Sequence, residues 1–580
     1  MASTIRTARG LRVSILLLVA AFLGACGGGG GGGSGAPEAT LTVAGSNLVF
    51  EAEIGDEIPS QSIPGSLTGV QSPVTVFIEY TDQGIDTSVF STTGETTGEL
   101  TVTPKYSAWL SPGVYTDTIT VRACYDAACS RQTAGSPRQV NVTYTVRPAA
   151  PAPFLEASER GIAFAAVPGA QRLSHSVTIS EATGTSPGWV ASSDAAWLSV
   201  TPSGSIGEAL MLSADPSTLE DGAYLATVTV RSNGSTAVSG ETVRVGFFKS
   251  SAAPAAQLAE PLGTFGGARL VSDPIRPLVY VAYGSTIAAQ HFHTGVRVGT
   301  ITLPSVAVTS LTISDDGRTL FAMKGASGSD AGIAIIDLDT FQVSGQLPGS
   351  NALYLRRAGH MVFSRVAGQP VLVLNQANEP SGGGQIITPI LNAESGALVG
   401  RVIGFHAWAY TAFETARSGV IYSADMGITG GFLSTSRIQL RANSSNRVYA
   451  SVTQTPAETP PSSLLDFAPH PNGSKVIHSY YNGMNFKQAV FNGTSLAWTD
   501  GGPPNPAMAS TDLEFLTDGR YVTVSGDTLR LYALDGTEQF QWVGPAFGTS
   551  PFGGQAGSLR ISSDGLRLLG NGMFVGLPPP

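Results

Sequence analysis

The sequence predicts an all-β chain of several domains, and three observations carry that expectation. Many short stretches alternate apolar and polar residues with the period of two expected of half-buried strands. Turn formers are abundant, with 70 Gly and 36 Pro among 580 residues. A unit of strand, Asp-Gly turn and strand recurs through the C-terminal half.

The length is too great for one core and suggests roughly three or four domains. A hydrophobic share of 42% is enough to bury cores, which argues against global disorder. Charged residues make up 13%, against about 25% in ordinary globular chains. The net charge of −10 is modest, and no patch concentrates Lys or Arg, so nucleic acid is not an expected partner.

The N-terminus reads as a targeting segment over residues 1–25. Arg6, Arg9 and Arg12 precede an apolar run from Val13 to Phe22, which is short for a membrane span. Leu23-Gly24-Ala25-Cys26 follows and resembles a bacterial lipobox. The resemblance implies diacylglycerol on the Cys26 thiol, cleavage before Cys26, acylation of the new amine by a fatty acid such as palmitate, and a membrane as partner. More than one acyl chain gives stable anchoring. Gly27 stands where inner-membrane lipoproteins often carry Asp, which implies the outer membrane. An ordinary signal peptide cut near Ala25 is the alternative. Residues 26–37 hold the lipidated Cys and a Gly-rich tether, whose eleven residues after Cys26 span roughly 18 Å r.m.s..

With Cys26 assigned to lipid, Cys124 and Cys129 remain. In an exported chain they are expected to form a disulfide, worth about 2 kcal/mol for so small a loop. Metal binding there would need further ligands, and no His lies in that region.

Residues 38–147 read as one sandwich. Thr40–Val43, Val74–Tyr80, Glu99–Val102, Tyr115–Arg122 and Gln139–Val146 alternate as strands at a spacing that suits an immunoglobulin-like β-sandwich. The Cys pair falls between the last two strands. A Pro/Ala linker follows.

Residues 153–248 read as a second sandwich. Here Trp189-Val-Ala-Ser-Ser, Trp197-Leu-Ser-Val-Thr-Pro-Ser-Gly, Leu210-Met-Leu-Ser-Ala-Asp-Pro and Gly222-Ala-Tyr-Leu-Ala-Thr-Val-Thr-Val occur in order. This pattern resembles the BACON family of immunoglobulin-like modules over nearly the whole segment. Ala108-Trp-Leu-Ser-Pro-Gly-Val-Tyr repeats part of it, which suggests that the first sandwich is a diverged relative. The family name asserts carbohydrate binding, and aromatic faces stack on sugar rings. Trp189 and Trp197 are therefore the candidate ligand contacts. A Trp in a sandwich is more often core, so at most one should face solvent, and Trp189 is the expected one.

Residues 257–580 carry the recurring unit. Copies start at Leu311, Leu465, Leu513 and Leu559, with weaker ones near Leu270, Leu353 and Phe413. The seven lie at intervals of 41, 42, 60, 52, 48 and 46 residues. Four strands every forty to fifty residues make one propeller blade. The repeats resemble YVTN/WD40-like seven-bladed β-propellers. The last copy has room for about two strands, and residues 257–268 are expected to supply the missing ones, closing the ring without a free edge.

Few residues suggest chemistry. His291 and His293 share a strand face as metal ligands could, yet no third ligand is near, and a structural role is the simpler reading. His470 lies in a repeat turn and His478 in the strand after it; solvent exposure is the simpler expectation for the first. Asp316-Gly317, Asp518-Gly519 and Asp564-Gly565 read as turn formers rather than a ring of catalytic carboxylates. Gly382–Gly384 reads as a connection between strands. No G-x-S-x-G elbow, P-loop or dinucleotide fingerprint occurs. No catalytic residue, metal or cofactor is expected. The expected function is a membrane-anchored, non-catalytic envelope binding protein for glycan or an envelope protein. The alternatives are an envelope enzyme with its site on the propeller axis, and a scaffold in outer-membrane assembly.

Overall fold

The computed structural model describes residues 3–6, 11–18, 38–150, 153–234, 237–257, 259, 269–303, 307–324, 332–347, 360–375, 388–402, 411–425, 434–456, 464–480, 487–500, 512–525, 528–544, 559–570 and 573–579. Cys26, the tether, Leu353 and Gly382–Gly384 lie outside them. The protein is all-β, two immunoglobulin-like sandwiches followed by a seven-bladed propeller. No helix among the described residues is long and apolar enough to cross a membrane.

In the first sandwich, Thr40–Val43, Gln61–Thr68, Thr97–Pro104 and Ile85–Thr92 form one sheet. Val74–Thr81, Gly113–Cys124, Arg138–Arg147 and Asn47–Glu53 form the other, where the last two pair in parallel. The backbones of Ser3–Arg6 and Leu11–Leu18 extend this second sheet past Val74–Thr81. Alternate residues such as Val76, Ile78, Ile119 and Val121 point inward and are fully buried. Three strands escaped the sequence reading: Asn47–Glu53, Gln61–Thr68 and Ile85–Thr92. Cys124 and Cys129 are disulfide-bonded, the first ending a strand and the second in the connection that follows.

The second sandwich has sheets of four and six strands. Its first long strand, Gly161–Val167, pairs in parallel with its last, Glu241–Lys249.

Seven antiparallel blades follow. Their innermost strands are Arg269–Ser272, Val308–Ile313, His360–Val366, Thr411–Thr415, Leu464–Pro469, Asp512–Phe515 and Arg560–Ile561. Each neighbours the next, and the last returns to the first. Six blades have four strands. The seventh has three of its own, and Gln257 bridges antiparallel to Met573 while Phe574 N donates to Ala256 O at 2.9 Å. The chain entering the propeller thus touches the blade that ends it at residues 256–257; of residues 257–268, expected to supply the missing strands, all but Gln257 and Ala259 lie outside the described residues. The third inner strand begins at His360, seven residues beyond the expected Leu353. Its hairpin turns on Ala367 and Gly368, both at positive φ, and lacks the Asp-Gly signal.

Candidate functional site

Each propeller copy places one residue on the axis after its leading apolar residue. Val271, Thr312, Glu414, Asp466, Glu514 and Arg560 occupy that position, and all six line one cavity of about 540 Å³. Inner strands are too splayed to pair, so polar side chains tie each to its neighbour. Ser310 Oγ accepts from Met361 N at 3.1 Å and Thr312 Oγ1 from Phe363 N at 3.0 Å. Asp466 Oδ2 accepts from Leu513 N at 2.9 Å. Arg269 Nε donates to Thr309 O at 2.7 Å, and Arg560 Nε to Leu270 O at 3.1 Å. Ser272 Oγ donates to Ile561 O at 2.8 Å, closing the circle.

One end of the cavity is roofed by Glu156–Gly161 of the second sandwich. The roof is fixed by charge. Arg160 bonds Glu241 at 2.5 Å within its own sandwich and Asp315 of the second blade at 3.2 Å. Arg365 also grips Asp315, at 2.8 Å. Burial alone would lower the Arg365 pKa, but Asp315 raises it. Glu159 is reached by His175 at 3.1 Å and by Arg417 of the fourth blade at 3.3 Å. Burial works against ionised Glu159, and these partners outweigh it and hold its pKa down. Close backbone approach locks the same junction. A Cβ on Gly246 would lie 1.7 Å from Ile275 O, and one on Gly161 2.5 Å from Asp315 O.

At the other end of the inner strands sit Arg269, His360 and Arg560. Burial and the two guanidiniums push the His360 pKa down to about 4. The sequence reading missed all three. For Arg560 the signal was present, as the polar residue flanked by Leu559 and Ile561 in its repeat copy.

The expected site residues fare differently. Trp189 is corrected: it is fully buried, not solvent-facing. Its indole N–H donates to Ser205 O at 2.9 Å, and its ring lies so close over Gly204 that a Cβ there would meet it at 2.5 Å. Trp197 is 9% exposed and packs on Phe247 with ring centroids 5.6 Å apart. Neither offers a face to a sugar, because both fill the space between the sheets. In the first sandwich Trp109, in the related motif, is 45% exposed.

His291 and His293 are both buried, as is His478, whose Nε2 lies 2.9 Å from Thr435 Oγ1. His470 is corrected from exposed to buried: its Nδ1 meets Asn472 Oδ1 at 2.7 Å and its ring lies edge-on to Phe515. No cluster of three metal-ligating residues occurs among the described residues. The Asp-Gly turns hold themselves. Asp316 Oδ1 accepts from Ser314 Oγ at 2.6 Å and from Arg318 N at 3.1 Å, while Gly317 sits at φ 66°.

Residues 156–243 match the viral BACON domain. The match covers the second sandwich, including the cavity roof. Among solved structures, Kuenenia stuttgartiensis hydrazine synthase aligns over 55% of this chain and 97% of its own, at 11% identity and a TM-score of 0.40. At that level the likeness carries no argument. No curated protein matches the sequence.

Proposed function

We propose that this chain is a lipid-anchored, non-catalytic binding protein of the bacterial envelope, which holds a polar ligand such as a sugar in the axial cavity. The observation that carries the reading is the joint construction of that cavity. Inner strands of the propeller form its wall, and the BACON sandwich forms its roof. A volume of about 540 Å³ lies in the range typical of small-molecule sites, about 300–1,000 Å³. Its wall alternates hydroxyl, carboxylate and guanidinium groups with apolar ones, as a sugar needs. The Trp pair is spent on the core, so recognition moves from the sandwich surface to the cavity.

Most titratable groups here are already spent on structure, which favours binding over catalysis. Asp466 accepts two backbone N–H groups, from Phe467 and Leu513, both at 2.9 Å. Asp315 takes two arginines. The lipobox at Cys26 and the glycine tether support attachment to a membrane, and Gly27 favours the outer one.

The test is retention of the full-length protein, in detergent, on immobilised polysaccharides and a glycan array. Saturable binding that is lost in Thr312→Trp, which fills the cavity, and kept in Thr312→Val supports the reading. Binding that survives Thr312→Trp removes the cavity as the site. Turnover of a bound glycan, lost in Glu414→Gln, would make the chain an enzyme instead.

A further inference from the structure

We infer that Val74–Thr81, in the first sandwich, is a pairing edge on which a second copy of this chain docks its own Val74–Thr81 once residues 1–25 are removed. The inference rests on the reading of those residues as a cleaved leader.

Val74–Thr81 lies between Gly113–Cys124 on one side and Leu11–Leu18 on the other. The Leu11–Leu18 backbone pairs with it antiparallel along its whole length, from Leu11 opposite Thr81 to Leu18 opposite Val74. Cleavage before Cys26 takes that neighbour away. Val74–Thr81 then borders the sheet, and alternate residues turn N–H and C=O groups outward, with no strand among the described residues to receive them.

Permanently open edges usually carry a Lys, a Pro or a bulge that turns a further strand away. Val74–Thr81 has none of these: its sequence is Val-Thr-Val-Phe-Ile-Glu-Tyr-Thr, and its register is unbroken on both sides. Its one charge, Glu79, is already met by Arg122 at 3.3 Å. Val74, Val76, Ile78 and Tyr80 point into the core between the sheets. Phe77 points the other way and takes no part in that core, yet it is only 9% exposed. The register sets Ile15 opposite Phe77, so loss of Leu11–Leu18 strips the neighbouring strand from its flank.

The occupant follows from direction and face. A donor strand must run antiparallel, as Leu11–Leu18 does, and must continue the inner face of the sheet. A two-fold axis normal to the sheet gives a second copy both properties. With the axis at Phe77, the two copies of Phe77 are neighbours and Val74 opposes Tyr80 of the second copy. Glu79 then faces Thr75 rather than another carboxylate.

The test uses the full-length protein, processed in membranes and purified in detergent, with its intact mass showing whether residues 1–25 are gone. Sedimentation of the processed protein is expected to show a dimer. Phe77→Lys sets like charges opposite each other across the axis. It should raise the dimer dissociation constant roughly tenfold or more and leave Tm unchanged, because the side chain lies outside the core. Phe77→Thr, which keeps a good strand former, should weaken the dimer less. Phe77→Cys should give a disulfide-linked dimer in membranes on mild oxidation, whereas Val49→Cys, on the opposite border of the same sheet, should not. A processed protein that is monomeric at every concentration, or a dimer that Phe77→Lys leaves intact, would overturn the pairing edge alone. A mass that retains residues 1–25 would overturn the leader reading and the proposal with it. A cross-link from Phe77→Cys to a different protein would overturn the second copy as occupant.

Discussion

His293 Nε2 lies 2.7 Å from Asp564 Oδ2, and this buried pair joins the first blade of the propeller to the last. Phe248, from the final strand of the second sandwich, stacks on the His293 ring with centroids 5.3 Å apart. Three elements distant in sequence therefore meet at one imidazole. Burial works against ionised Asp564, but His293, Ser562 and Leu566 N outweigh it and hold its pKa below the usual carboxylate value.

His293→Ala should leave a buried carboxylate with its main partner gone. Removing one member of such a pair costs about 3–5 kcal/mol. Thermal unfolding followed by tryptophan fluorescence should show a clearly lower Tm. Asp564→Asn, which keeps shape and hydrogen bonding, should cost less. A depressed carboxylate contributes stability that is present above its ordinary pKa and lost as pH falls through its folded value, so this contribution disappears below about pH 4.

Two histidines set the response at milder acidity. His291 and His360 each have their pKa pushed down to about 4 from 6.5, mainly by burial. His291 Nδ1 accepts the backbone N–H of His293 at 3.1 Å, which a protonated ring could not do. Between pH 6.5 and 4 the unfolded chain binds protons that the folded chain refuses. Stability should therefore fall as pH drops through that window, by up to about 1.4 kcal/mol per pH unit for each ring. Urea midpoints measured from pH 7 to 4 should show the slope, and His360→Gln should flatten part of it.

Gly246→Ala should separate the second sandwich from the propeller. The new methyl would meet the Ile275 carbonyl at 1.7 Å, and backbone cannot rotate away as a side chain can. The expected outcome is faster proteolysis in the linker around residues 250–256, with the blades themselves intact. Unchanged protection of the linker would show that the junction yields.

Trp189→Ala should destabilise the second sandwich by about 3–5 kcal/mol, the usual cost of emptying a core Trp site. Trp189→Phe should keep most of the fold and leave ligand binding unchanged. Loss of binding in a folded Trp189→Phe would return the site to the sandwich.

Cys26→Ser should abolish incorporation of a palmitate analogue and release the protein from the membrane fraction. Retention of label in Cys26→Ser would refute the lipobox reading.

The sequence was most informative where one residue obeys one rule. Leu311, Leu465, Leu513 and Leu559 announced inner strands because each precedes a glycine-bearing turn, six residues on in three copies and eight in the Leu465 copy, and Gly317, Gly473, Gly519 and Gly565 all adopt positive φ. The third blade was misplaced because its turn uses Ala367-Gly368, which carries no Asp-Gly or Asn-Gly pair. Trp189 misled because a large aromatic ring is equally suited to a surface platform and to a core. Only Gly204, which clears room for the ring, decides between them, and it lies fifteen residues away. The cavity was illegible for a different reason. Arg269, His360 and Arg560 are separated by up to 291 residues, and ring closure alone brings them together.

The bridge between Gln257 and Met573 gives the molecule a mechanical character. The segment that enters the propeller is also the thread that finishes its last blade. A pull on the N-terminal side meets the ring first through the sandwich contacts of Arg160 and Phe248, and at that stitch once they part. Load that passes the sandwich falls on that seam, so force and ring opening become the same event.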